Sequence, residues 1–283
     1  MRQNKLLMAL LLVALCACGT SSKPAYQESK YYEQLKDAGL KEKTIEQYLS
    51  YDYFHIKNLK RYLKYDAKSV KAKIIAVNMN KDKEPYTDIK TLTSDKIDEL
   101  VNKFNQLPDG YTPDDLVAVN SACTRGVDYS CQDIDTIELR KPAATAFEQW
   151  VKAAAKQNMQ IKAIAGYRTY AYQQQLWNYY ASVNGTAYAD QYYARPGTSE
   201  HNTGLAVDIT FNNYHFNEIA NYDGYDWLLK HAADYGFILR YPEDKTDETR
   251  YGYESWHFRY VGKTLAKQLS KNNETLEYYY ATK

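Results

Sequence analysis

The spacing of apolar and polar positions changes several times along this chain. Residues 6–15 form an unbroken apolar run of ten, preceded by Arg2 and Lys5. Between 26 and 70 the apolar positions fall at helical distances: Tyr32, Leu35 and Leu40, then Ile45, Tyr48 and Leu49, then Ile56, Leu59 and Leu63. Lys41-Glu42-Lys43 and Tyr51-Asp52-Tyr53 interrupt them, so the pattern predicts helices of about ten residues. Residues 72–78 are a short apolar run that reads as a strand. A second regime starts near Leu100. Leu107-Pro108 and residues 111–117 read as turn and strand. Residues 142–157 form an amphipathic helix, with Pro142 in its first turn and Ala144, Phe147, Val151 and Ala154 on one face. A buried strand is expected over 161–165, ending at Gly166, and a helix follows it to about residue 181. Leu205 to Ile209 reads as a buried strand interrupted by one acid, and a loop runs on through Asn212 and Asn213. A helix over 225–235 is stopped by Gly236. Strands at 237–242 and 254–260 flank a charged loop at 243–250, and a last helix runs from 263 to about 271. The sum is an α+β domain with a small, mostly antiparallel sheet and helices packed behind it, preceded by a small helical module.

Composition narrows the class. With 45% hydrophobic residues in 283, there is material for one good core and a small additional unit. The net charge of +1, without a Lys/Arg stripe, argues against nucleic acid as a main partner. Tyrosine replaces phenylalanine as the common aromatic, 30 against 7, which suits either a core role or wet, sugar-facing surfaces.

Two stretches concentrate the candidate chemistry. One is Ser199-Glu200-His201-Asn202-Thr203-Gly204-Leu205-Ala206-Val207-Asp208, and the other is Glu254-Ser255-Trp256-His257. Asp208 interrupts an apolar strand, where an unpaired carboxylate is costly and a cation removes the cost. The chain has five histidines (His55, His201, His215, His231, His257), and two of them fall in these stretches. His201, Asp208 and His257 make three N/O ligands with a fourth position open, the composition of a catalytic zinc site. Glu254 is positioned to reach a water rather than the ion and to take its proton. Three residues separate it from His257. On an unbroken strand that spacing points the two side chains to opposite faces, so a turn or bulge around Ser255-Trp256 is required.

The pattern Ser-x-His-x-x-Gly-x-Ala-x-Asp followed by Glu-x-Trp-His resembles the zinc D-alanyl-D-alanine carboxypeptidases of the VanY/LdcB group. Three further segments are similar to that group: Gly166-Tyr167-Arg168-Thr169-Tyr170, residues 194–199 (Ala-Arg-Pro-Gly-Thr-Ser), and His257-Phe258-Arg259-Tyr260-Val261-Gly262. The resemblance runs from about residue 100 to 261, with Thr169 where the group commonly has Ser. It implies a peptidase that trims peptidoglycan stem peptides, with Glu254 as general base. Arg168 would steady the oxyanion or the terminal carboxylate, as a planar guanidinium suits. The resemblance also implies that Arg168, Gln173, Ser199 and Tyr241 contact substrate. A same-fold endopeptidase and a non-hydrolytic zinc-bearing binding module are the alternatives; Glu254 speaks against the second. His231 reads as an ordinary helix residue.

The amino-terminal segment is a targeting signal, because ten apolar residues are too short to span a bilayer. Its end, Leu15-Cys16-Ala17-Cys18-Gly19, resembles a bacterial lipobox, which predicts lipidation of Cys18 and a membrane-anchored protein on the extracytoplasmic face. Cys123 and Cys131 could then close a small disulfide loop. The expected layout is signal 1–18, tether 19–25, helical module with a connecting strand 26–98, and carboxypeptidase domain 99–283, acting as a monomer.

Overall fold

A computed structural model of the chain describes residues 24–124, 136–212 and 214–283. Two compact units divide between Tyr51 and Asp52. In the first unit, α1 (Tyr32–Asp37) and α2 (Glu42–Leu49) bury Leu35, Ile45 and Tyr48. The Tyr32 and Tyr26 hydroxyls both donate to Glu42 at the start of α2, at 2.5 and 3.1 Å.

The second unit opens with α3 (Leu59–Lys64) and α4 (Val70–Asn78). The strand expected over 72–78 is therefore a helix. Ser69 caps it by accepting from the Ala72 amide at 3.1 Å, and Ile74 and Val77, three apart, are its buried positions. A short apolar run of this kind fits either a buried strand or a buried helix by period alone, and the cap decides between them. Two small ladders follow. β1 (Lys90–Thr91) pairs in parallel with β2 (Asn105–Gln106), and β3 (Leu116–Ala118) pairs antiparallel with β4 (Glu138–Arg140).

The remaining elements are α5 (Lys141–Ala155), β5 (Ile161–Ala165), α6 (Tyr170–Asn184), α7 (Thr186–Tyr192), β6 (Ala206–Phe211), α8 (Tyr225–Ala232), β7 (Phe237–Tyr241), α9 (Thr246–Thr249), β8 (Glu254–Tyr260), α10 (Lys263–Asn272) and α11 (Leu276–Ala281). The segment read as a loop at 243–250 is instead a 3-10 turn followed by the single turn α9. Gly236, at φ 88°, ends the α8 region as expected.

Strands order as β5-β6-β8-β7, antiparallel throughout. Strand alternation gives this sheet two unlike faces. Val207, Ile209, Phe211, Phe237 and Phe258 enter the main core with Phe147 and Trp150 of α5 and Leu228 of α8. The Trp150 indole lies 5.1 Å from the Phe258 ring and 5.6 Å from Phe237, close enough to lock α5 onto the sheet. Asp208, His257 and Arg259 alternate with these core residues, so they face the other way.

Candidate metal centre and cleft

Three local devices bring the polar residues together. Ser199 starts the 3-10 turn Glu200–Thr203, its hydroxyl accepting from the His201 amide at 3.3 Å. Gly204 ends it at φ 68°, and a Cβ there would meet Arg140 Cγ and Leu116 Cδ2 at 3.0 Å. A side chain is excluded twice over, by conformation and by space. That turn presents His201. Its Nδ1 sits 2.7 Å from the Gly166 carbonyl, which directs a proton to Nδ1 and leaves Nε2 facing inward.

The second device is cross-strand register: Asp208 on β6 lies directly opposite His257 on β8. The third is a bulge. Leu239 pairs with Phe258 and Tyr241 with Glu254, so two steps along β7 answer four along β8. The extra residues fall at Ser255–His257 and turn Glu254 back to the face that carries His257. Their side chains come within 3.5 Å, Glu254 Oε2 to His257 Nδ1. The bulge required by the sequence spacing is present.

His201, Asp208 and His257 are all buried, and one donor atom from each lies within 4.8 Å of the others. His201 Nε2 is 3.3 Å from Asp208 Oδ2, and His257 Nδ1 is 3.1 Å from Asp208 Oδ1. A tetrahedral zinc about 2.0–2.1 Å from each donor would hold them about 3.3 Å apart. The 3.1 Å approach lacks hydrogen-bond geometry, and among the described residues the buried Asp208 Oδ1 has no hydrogen-bond partner. An orphaned carboxylate oxygen beside two inward-facing ring nitrogens fits a metal ion. Histidines 55, 215 and 231 are outside this cluster, and His231 pairs with Asp234 on the α8 surface at 3.1 Å.

The electrostatics separate the roles. Burial pushes the Glu254 carboxyl up to about 8; His257 partly opposes the rise and Asp208 adds to it. Burial alone would lower His257, but the close approach of Asp208 and Glu200 carries it up to about 9. Burial and Arg168 lower His201 to about 4 against the pull of Asp208. Asp208 itself is held well below the ordinary carboxylate range by the two histidines, despite its burial. A carboxyl group poised near neutrality suits proton transfer, and a divalent cation in the cluster would draw Glu254 and His257 downward.

The cluster lies in a cleft of about 590 Å³. Arg168, Gln173, Ser199 and Tyr241 all line it, as does Glu254. Arg168 is buried and donates through Nη2 to Asp208 Oδ2 at 3.1 Å, so it also orients that carboxylate within the cluster. Gln173 donates to the Ala194 carbonyl at 2.8 Å, and among the described residues its buried Oε1 has no hydrogen-bond partner. The Tyr241 ring rests 4.8 Å from the His257 ring. Thr169 caps α6, its hydroxyl accepting from Tyr172 N at 3.1 Å, a task that Ser would perform equally. Cys123 is disulfide-bonded; Cys131 and Cys18 lie outside the described residues.

Sequence reasoning passed over three contributors. Asn202 fixes the approach to His201 by donating to the Arg168 carbonyl at 2.7 Å and accepting from Gly197 N at 3.0 Å. Tyr180, Tyr188, Tyr192 and Tyr193 make one wall of the cleft. Glu200, in sequence only a motif neighbour of His201, has its carboxylate buried beside His257. Its burial was the missing signal, since an acid one residue before a ligand reads as solvent-facing.

Several known proteins resemble this chain. A family described as VanY: D-alanyl-D-alanine carboxypeptidase matches residues 136–263. The chain is 41% identical over 186 residues to the putative carboxypeptidase YodJ of Bacillus subtilis, covering 64% of this chain and 66% of that protein. It is 35% identical to the bifunctional D-Ala-D-Ala dipeptidase and D-Ala-D-Ala carboxypeptidase VanXYC of Enterococcus gallinarum, covering 64% of this chain and 92% of that one. Among solved structures, the LdcB LD-carboxypeptidase, whose structure addresses peptidoglycan recognition, aligns with a TM-score of 0.62 at 36% identity, over 71% of this chain and 94% of the other. A mutant of the vancomycin-resistance D,D-pentapeptidase VanY in complex with Zn(II) aligns with a TM-score of 0.52 at 29% identity, over 65% and 98%.

Proposed function

The chain belongs to the VanY family of D-alanyl-D-alanine carboxypeptidases, and from that membership we propose that it is a zinc carboxypeptidase removing the terminal D-alanine from peptidoglycan stem peptides. One observation carries the reading: the His201–Asp208–His257 cluster and Glu254 share one buried face, inside a cleft that Arg168 also lines. His201, Asp208 and His257 would hold the zinc, which supplies Lewis-acid polarisation of a carbonyl and acidifies water. Glu254 accepts the proton of the attacking water and returns it to the leaving amine. Arg168, already anchored by Asp208, offers its guanidinium to the substrate's carboxylate or to the developing oxyanion. Gln173 and Ser199 border the place where the chain end would sit, and Tyr241 packs against His257.

Mass analysis of purified muropeptides after incubation with the protein tests this. Loss of one alanine from the pentapeptide or the tetrapeptide supports it and tells D,D from L,D cleavage; an internal cut, or no cut, overturns it.

The lipobox-like segment supports a protein held on the extracytoplasmic face through a lipid on Cys18. Among the described residues, no helix is long and apolar enough to cross a membrane. Cys18→Ser is expected to abolish detergent partitioning while Cys16→Ser leaves it intact. An unmodified Cys18 in the intact mass of the wild-type protein would refute the anchor.

A further inference from the structure

His257 has two ring nitrogens in two different surroundings. Nδ1 faces Asp208 and Glu254, the cluster side. Nε2 points away from it, toward Glu200 Oε2 at 3.5 Å. The two atoms approach as an ion pair rather than as a formed hydrogen bond, and among the described residues neither of these buried atoms has a hydrogen-bond partner. The other Glu200 oxygen, Oε1, accepts from Arg240 Nε at 2.7 Å and from Arg259 Nη1 at 2.8 Å. Arg240 in turn holds Glu277 of α11 by a bidentate pair, at 2.9 and 2.6 Å. All four charged groups are essentially sealed from solvent. Two acids balance two guanidinium groups, so none of the four is left as an uncompensated buried charge.

We propose that Glu200 is the positioning residue that keeps a proton on His257 Nε2, leaving Nδ1 for the metal, and that Glu277 sustains it through Arg240. The inference rests on the metal reading of the cluster. A ligating histidine is oriented by what its other nitrogen bonds, and a carboxylate there fixes both ring orientation and tautomer. Glu200 cannot swing toward solvent or toward the cluster, because Arg240 and Arg259 pin its Oε1. Through Glu277 the carboxyl-terminal helix α11 is tied to the cluster.

Glu200→Gln is the informative change. The amide oxygen satisfies the two guanidinium groups in place of Oε1, which turns the amide NH₂ toward His257. Nε2 then becomes an acceptor and the proton moves to Nδ1, the nitrogen the metal needs. Zinc affinity of the full-length protein, measured by competition with a chromophoric chelator at one pH, should weaken about 10–100-fold. Glu277→Gln should weaken it in the same direction by less. Melting of the metal-free variants shows whether they fold. Should Glu200→Gln fail to fold, Glu277→Gln and the wild-type tautomer decide. Nitrogen-15 spectra of the histidine rings in zinc-loaded wild type should place the His257 proton on Nε2. Folded variants that bind zinc within about twofold of wild type, or a wild-type proton on Nδ1, overturn the assignment. Wild-type protein that takes up no zinc would instead overturn the functional reading on which it rests.

Discussion

The two faces of the four-stranded sheet are made by the same strands, one residue out of step, and they depend on different physics. On one face Val207, Ile209 and Phe258 pack against Trp150 and Phe147, and what matters is volume and apolar area. On the other, Asp208, His257 and Glu254 are held by register, a bulge and neighbouring charges. A loss on the apolar face should therefore appear as lost stability. A loss on the polar face should appear as lost metal or lost chemistry.

The strongest way to break that division is His201→Ala. It should remove both the metal and turnover, since only Asp208 and His257 would remain as ligands. Elemental analysis alongside a muropeptide assay checks this, and full activity without a first-row metal would defeat the polar-face account.

Glu254→Gln sharpens the division within the polar face. The amide keeps the shape but accepts no proton, so kcat should fall about 10²–10⁴-fold. Zinc content should stay near one per chain. Loss of zinc in this variant would make Glu254 a ligand instead.

The apolar face is probed by Trp150→Ala. This indole is fully buried, and its truncation should reduce unfolding free energy by about 3–5 kcal/mol. Denaturant titration measures it. The folded fraction should keep its zinc affinity within a few-fold; a selective loss of zinc with unchanged stability would erase the contrast between faces.

The smallest effect concerns a buried charge away from both faces. Lys103 donates to the backbone carbonyls of Asp190, at 2.5 Å, and Arg250, beneath the Tyr251 ring. Burial lowers its pKa to about 8, against pull from Asp190. Because the folded value lies below the unfolded one, the folded protein gives up this proton first as pH rises. The unfolded chain then binds more protons, so the contribution to stability climbs from about pH 8 to about 10.5. Relative to Lys103→Met, wild type should gain roughly 2–3 kcal/mol across that window. A pH-independent difference between the two proteins would show that the ammonium carries no burial penalty.

The site was largely legible because its residues lie in two short stretches with unusual content for a buried strand. Asp208 within an apolar run and the Glu254–His257 spacing each implied a structural consequence, a cation and a bulge, and the geometry contains the donor cluster and the bulge. Residues 72–78 were misread because their apolar run has no decisive period, and only the Ser69 cap marks the helix start. The helices α7 and α11 were missed because their turns are short and rich in tyrosine, which serves helix, strand and surface alike.

By itself, then, the sequence determined which side chains could ligate and which short buried strands carry them, since these follow from local chemistry and period. Tertiary structure alone decided which nitrogen of His257 faces the cluster and what stands behind it. Glu200, Arg240, Arg259 and Glu277 are spread over 78 residues and meet only when β7, β8 and α11 are packed. Nothing local distinguishes such residues from solvated charges, because their pairing is set by distance in space and by exclusion of water, neither of which a linear pattern carries.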